Sequence, residues 1–286
     1  MLSYQHIYHA GNFADVHKHS ILIAALKTLR IKPARLAMMD THAGRGLYNL
    51  ISQEAQKTSE FTHGAARIWQ DSPPGLADYA AALRRHNSGD LLQFYPGSAQ
   101  IMRDMLRPQD RLICVERHPG EFQMLAQNFA SDAHQVTTLS QDGFDALDQS
   151  TPPPERRGLA IIDPSYEIKR EYEDLPRHLL RAWKKWPQGC YLVWYPLMDN
   201  GAEAVLLEGL RKTVIKDILI SEIRMHHLQQ EHYRMKGSGL ALINPPWPES
   251  FLSGLTKDIA AALDADPLIY WLDNKHIDPD TGRLTG

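Results

Sequence analysis

The chain is poor in cysteine: Cys114 and Cys190 are the two thiols in 286 residues, and both stand inside apolar runs. Two such residues make neither a disulfide framework nor a four-thiolate zinc site, and they read as reduced core positions. Long apolar runs are also missing, since none approaches the roughly 18 residues that a membrane span needs. The opening stretch, MLSYQHIYHAGNFADVHKH, is too polar for a secretory signal. The cytoplasm is therefore the expected location, with no membrane partner. No charge of one sign dominates: the net charge is -3 and the pI about 6.5. The whole-protein field does not attract a polyanion, so any nucleic acid must be held by a local patch. The G-x-G-x-x-G fingerprint is absent, which argues against NAD. There is no internal repeat.

What is present is an ordinary globular composition, 43% apolar and 23% charged. Short apolar runs that end in polar or turn residues predict seven strands, at 35–40, 111–116, 135–140, 159–163, 190–196, 214–223 and 240–244. Amphipathic stretches such as 120–130 and 172–186 fall between most of them, the pattern of βαβ units on a parallel sheet. Residues 224–239 are polar and end in KGSG, which reads as a long hairpin-like loop. That loop would reach the rim of the site and turn the seventh strand antiparallel. The expected fold is α/β and Rossmann-like: a seven-stranded, mostly parallel sheet with its last strand antiparallel, as in S-adenosylmethionine-dependent methyltransferases. The stretch between the first two strands is far longer than a crossover needs. Residues 49–94 are read as a small inserted helical subdomain anchored by Ile68, Trp69, Tyr79, Leu83 and Phe94, leaving 1–48 and 95–286 as the main domain.

Four successive strands end in an acidic turn. The first runs into Asp40 and then THAGRG, where Gly44 and Gly46 permit positive φ and close backbone approach to a ligand. The second ends at Glu116, placed for ribose hydroxyls, and the third is followed by Asp142-Gly143, placed for an adenine amino group. The fourth ends in Asp163-Pro164-Ser165-Tyr166. Ligands of open α/β sheets bind at these carboxyl ends.

A second stretch, LALINPPW at 240–247, matches the Asp/Asn-Pro-Pro-aromatic motif of amino-group methylating enzymes more closely by letters. Its strand is expected to run the other way, so Asn244 would lie on the opposite rim, with Trp247 tucked onto the sheet edge. Asp163 is therefore read as the catalytic copy. An exocyclic amine is a poor nucleophile because its lone pair is delocalised. The Asp163 carboxylate and the Pro164 carbonyl can accept its two hydrogens and aim the lone pair at a sulfonium methyl. The Tyr166 ring would stack on a base that is unpaired or flipped out.

With these residues in view the chain resembles the bacterial 23S ribosomal RNA adenine-N6 methyltransferases of the RlmJ type. The resemblance is carried by the opening stretch, DTHAGRG, YPGS at 95–98, DPSY and SGLALINPPW, and spans nearly the whole chain. It implies S-adenosylmethionine as methyl donor and one adenine of protein-free 23S rRNA as target. It places Tyr4, His6 and Lys18 near the target nucleotide. It places His19, His42, Ser98, Glu116, Asp142, Gly143 and Asp163 around the cofactor. Ser165 stands where the family has proline, which bears on loop stiffness and turnover and not on reaction class. Other readings stay open: methylation of DNA adenine or of a protein glutamine, or a non-catalytic cofactor-binding RNA assembly factor. A metal among His6, His9, His17 and His19 is not expected, because His17 and His19 would face different sides of a helix capped by Asn12. Lys18 and Lys169-Arg170 could equally form a solvated face. Nothing in the sequence calls for an oligomer or names the adenine.

Overall fold

The computed structural model describes residues 4–229, 234–272, 276–277 and 284–285. The chain enters through α1 (Phe13–Arg30) and β1 (Ala37–Asp40). β2 (Leu47–Asn49) and β3 (Phe94–Pro96) pair as an antiparallel ribbon, and between them run α2 (Gln53–Thr58), α3 (Ala65–Gln70) and α4 (Ala77–Arg85). Then follow α5 (Ser98–Asp104), β4 (Arg111–Val115), α6 (Pro119–Asn128), β5 (Val136–Leu139), α7 (Gly143–Ser150), β6 (Gly158–Ile162) and α8 (Glu171–Lys185). The remainder is β7 (Cys190–Met198), α9 (Glu203–Arg211), β8 (Ile218–Met225), β9 (Met235–Ile243), α10 (Glu249–Leu263) and β10 (Ala265–Trp271).

Among the described residues the main sheet has eight strands in the order β10-β8-β9-β7-β6-β1-β4-β5. β5, β4, β1, β6 and β7 are mutually parallel, and β9 is antiparallel to both β7 and β8. The strands read as apolar runs because both faces are covered. Met38, Leu112, Leu159 and Ile161 face a core built with α1, α4, α5, α6 and α10. Met39, Val115, Ala160 and Ile162 face a second core built with α7, α8 and α9. Ile68, Tyr79 and Leu83 are fully buried anchors in the stretch between β2 and β3.

Two expectations need correction. The sheet has an eighth strand, β10, which pairs antiparallel with β8. It was hidden because Pro267 and three exposed positions break the apolar alternation, as befits an edge strand. Second, Met235–Gly239 is not a loop but the start of β9, paired with β7 and β8, so the connection shortens to 226–234. Glycines 237 and 239 are there because backbone and the Tyr195 ring crowd them, not because a loop needs freedom. Residues 230–233 of that connection, and residues 1–3, lie outside the described residues.

The NPPW stretch follows β9 and so sits on the rim away from Asp163. Asn244 adopts φ 52 and its Nδ2 donates to the carbonyls of Pro187 (2.7 Å) and Gly189 (2.8 Å), tying the β9 exit to the α8–β7 turn. Trp247 is buried against the α10 core and packs on Phe251. Replacing Asn244 with alanine should cost about 1–2 kcal/mol, from lost hydrogen bonds and a left-handed φ that alanine tolerates less well. The check is a lower Tm with unchanged catalytic activity.

Candidate active site

The site begins in α1. The Asn12 side chain caps this helix by accepting the Asp15 amide (3.0 Å), and Asp15 is turned back so that its Oδ2 accepts the Gly11 amide (2.8 Å). One turn on, Lys18 donates to Asp15 Oδ1 (3.0 Å) and to Asp163 Oδ2. The two carboxylates and the ammonium are 1%, 13% and 5% exposed for Asp15, Asp163 and Lys18, so this is a buried charge triad and not a solvated face. Burial alone would lower the Lys18 pKa, but Asp15 and then Asp163 more than offset it and raise it above the usual range. Burial likewise works against the Asp15 carboxylate, yet Lys18, then His6, hold it well below its usual value.

His6 Nε2 donates to Asp15 Oδ2 (3.0 Å), which leaves Nδ1 to accept the Tyr4 hydroxyl (2.9 Å). The Tyr4 amide donates to Glu167 just past the DPSY turn (3.2 Å). The N-terminal segment is thus anchored to both α1 and the β6 exit. The other N-terminal histidines make their hydrogen bonds elsewhere, although His19 Nε2 also lies 3.8 Å from Asp15. His9 meets Glu60 at 2.9 Å, His17 meets Ser238 and Ser221, and His19 meets the Tyr95 hydroxyl at 2.7 Å.

Two adjoining cavities share Tyr4, His6, Lys18, Asp163 and Ser165 as a common wall. The first lies over the carboxyl ends of β1, β4, β5 and β6, at the switch point where the chain leaves β1 toward β4 on one side and β6 on the other. Its lining includes His19, His42, Gly44, Ser98, Glu116, Asp142 and Gly143. Glu116 accepts the amides of Gly44 (2.9 Å) and His118 (2.6 Å), and burial pushes its carboxyl up despite them. His42 is neutral, lowered to about 4 by burial. Thr41 gives its hydrogen to the Ile161 carbonyl, so it accepts from His42 Nδ1 (2.8 Å) and leaves Nε2 a bare acceptor. A side chain at Gly143 would run into the Thr41 carbonyl and the His42 ring.

Asp40 does not line this cavity. It is fully buried, with Oδ1 accepting the His42 amide (3.1 Å) and the Ser98 hydroxyl acting on the carboxyl as a donor. Burial pushes its carboxyl up to about 6. Asp142 is less free than its position suggests. Its Oδ1 caps α7 by accepting the Phe144 and Asp145 amides, and Oδ2 pairs with Arg117 (3.1 Å). The capping signature was legible as Asp142-x-x-Asp145.

S-adenosylmethionine carries a sulfonium, an ammonium, a carboxylate, a ribose diol and an adenine. The residues fit it: each Glu116 oxygen takes one backbone amide and keeps a lone pair for a ribose hydroxyl, and the buried His19 Nε2, 3.8 Å from Asp15, makes no hydrogen bond at the same wall.

The second cavity is aromatic, lined by Phe13, Tyr166, Tyr172 and Trp194 with Pro196, Leu228 and Met235 around them. Tyr166 holds φ 55, a costly conformation for a bulky residue. Its hydroxyl donates to the Trp194 carbonyl (2.6 Å) and its ring stacks on Tyr172 at 4.3 Å. Sequence reasoning missed Asp15, Glu171, Tyr172 and Trp194. Asp15 could have been found from the Asn12-x-x-Asp15 capping spacing, but Trp194 could not, since CYLVWYP reads only as a strand.

Glu171 opens α8 at the first cavity, and burial raises its carboxyl to about 7. A folded-state pKa above the unfolded value means the wild type loses stability as pH rises from about 4.5 to about 7. Glu171→Gln should therefore match the wild type in Tm at about pH 5 and exceed it at about pH 8, by about 1 kcal/mol after allowing for solvent screening. Equal pH dependence of the two melting curves would contradict this.

A family model described as RsmJ, ribosomal RNA large subunit methyltransferase D, RlmJ, matches residues 33–264. Ribosomal RNA large subunit methyltransferase J of Haemophilus influenzae is 36% identical over 280 residues, covering 95% of this chain and 99% of that protein. The protein of the same name from Escherichia coli K12 is 35% identical over 288 residues, covering 100% and 98%. A crystal structure of a Legionella pneumophila protein superposes with a TM-score of 0.84 at 33% identity, covering 92% of this chain and 98% of that one. The acid-ended strands, the buried charge at the β6 exit and these full-length similarities agree, and the chain belongs to the RlmJ family of ribosomal RNA large subunit methyltransferases.

Proposed function

We propose that the protein moves a methyl group from S-adenosylmethionine to the exocyclic N6 of one adenine in protein-free 23S rRNA, in the cytoplasm. The observation that carries this reading is the position of Asp163-Pro164. The turn stands on the wall between a carboxylate-lined cavity suited to the cofactor and an aromatic cavity suited to a base.

When bound, the cofactor supplies an electrophilic methyl on sulfur. The protein supplies position and electrostatics. Lys18 takes Asp163 Oδ2 and fixes the carboxylate plane, leaving Oδ1 to accept one N6 hydrogen. The Pro164 carbonyl accepts the other. Held this way, the amine turns its lone pair toward the first cavity. The proton released after transfer passes to Asp163 or to water. Tyr4, tied to His6 and Glu167, forms part of the wall beside this point. The base must be unpaired or flipped out of its stack to enter.

The test is transfer of labelled methyl to 23S rRNA from a strain lacking the activity, with the modified base mapped. N6-methyladenine at one position is expected. Label appearing only in DNA or in a glutamine side chain would assign another substrate. Cofactor binding with no transfer to RNA, DNA or protein would make the chain a binding factor.

A further inference from the structure

A run of polar groups crosses the core between α1, β8, β9 and α10, away from the carboxylates of the first cavity. His17 Nδ1 meets Ser238 Oγ (2.9 Å) and His17 Nε2 meets Ser221 Oγ (2.9 Å). Ser238 Oγ also meets the Trp194 indole nitrogen (3.0 Å). Ser221 Oγ meets Thr256 Oγ1 (2.8 Å), and Thr256 donates to the Leu252 carbonyl (2.8 Å). His17, Ser221, Ser238 and Thr256 are all fully buried.

The direction of every hydrogen follows from the two ends. An indole N–H can only donate and a carbonyl can only accept. Thr256 spends its hydrogen on Leu252, so it accepts from Ser221. Ser221 then has no hydrogen left for His17, so His17 Nε2 carries one and donates. His17 Nδ1 is therefore bare and accepts from Ser238, which in turn accepts from Trp194. Burial keeps the imidazole neutral, lowered to about 3, in agreement. One tautomer and one indole orientation satisfy all members, and breaking any link strands a buried polar group.

The end that leaves the core is Trp194. It is partly exposed, lines the second cavity, and its ring centroid lies 5.6 Å from the Lys18 ammonium. Tyr166, the expected stacking residue, is already covered by Tyr172 and is only 8% exposed. We propose that Trp194 is the stacking wall for the target adenine, locked in orientation by the Ser238–His17–Ser221–Thr256 chain. The assignment rests on the adenine-transfer reading above. His17 and Ser238 act as positioning residues, since neither lines the cavity.

Trp194→Leu should raise KM for the RNA by about tenfold or more, the loss expected for one stacked base, with cofactor affinity unchanged. Trp194→Phe should fall between, because it keeps a ring but loses the N–H. Ser238→Ala should raise KM for RNA more than it lowers kcat, and the indole N–H resonance of Trp194 should move and exchange faster. A purely structural serine would shift Tm without that split. Nitrogen NMR of the unmodified protein should show His17 protonated at Nε2. Wild-type KM in Trp194→Leu, or His17 protonated at Nδ1, overturns the proposal. If the wild type methylates no RNA, the functional reading fails instead. The affinity of Trp194→Leu for a short RNA with an unpaired adenine, measured without turnover, then still decides the stacking role.

Discussion

Asp163→Asn should lose about 10³-fold or more in kcat while still folding and binding the cofactor. The amide keeps one acceptor oxygen at nearly the same place, so the loss isolates the carboxylate charge and its alignment. Alanine at this position removes both acceptors and should be no more active. It would also leave the Lys18 ammonium facing a void, so its Tm should fall further than that of the amide variant. Labelled methyl transfer, calorimetric cofactor binding and thermal melting separate these effects. The control is Asn244→Ala, expected to lose stability and no activity, since its side chain only ties the far rim to Pro187 and Gly189. Full activity in both Asp163 variants, or inactivity of a folded Asn244→Ala, would reverse the choice between the two motif copies.

Lys18→Met should cost about 3–5 kcal/mol, because it removes the ammonium that Asp15 and Asp163 share and leaves Asp15 to His6 and the Gly11 amide. The pH dependence identifies the cause. In the wild type the folded Asp15 pKa is depressed, so its contribution is present above the unfolded value and lost as pH falls through the folded one. Without the ammonium, His6 and His19 still oppose the burial penalty on the same carboxyl, but the largest favourable charge is gone, so the stability it contributes at higher pH shrinks. The Tm gap between wild type and Lys18→Met should thus be wide at about pH 8 and narrow toward about pH 4. A gap independent of pH would mean that packing of the aliphatic stem, and not charge, carries the loss. Methyl transfer should fall as well, because Asp163 loses the group that orients it.

The acid-ended turns at Asp40, Glu116, Asp142 and Asp163 were readable one by one, because each closes an apolar run and local pattern decides where a strand ends. The orientation of β9 was readable too, since the polar connection before it is too short of apolar residues to form a crossover helix. Those two inferences were enough to choose DPSY over NPPW. What each acid does was not readable. Asp142 spends its carboxylate on capping α7 and on Arg117, and Asp40 is fully buried and does not line the cavity. Side-chain assignments of this kind depend on which atoms lie within about 3 Å, and spacing along the chain does not encode that.

The sequence by itself determined which strands end in the acidic turns of the site, the reaction class it resembles and the helix that Asn12 caps. These follow from periodicity, turn chemistry and short motifs, all local properties. Only the tertiary structure decided that Lys18 is a buried counter-ion instead of a solvated charge. It also decided that β10 closes the sheet, and that Trp194 and not Tyr166 presents the open ring to the second cavity. The reason is sequence distance. Lys18 meets Asp163 across 145 residues and His17 meets Ser238 across 221, and pairings that remote exist only once the first core has packed α1 against the sheet.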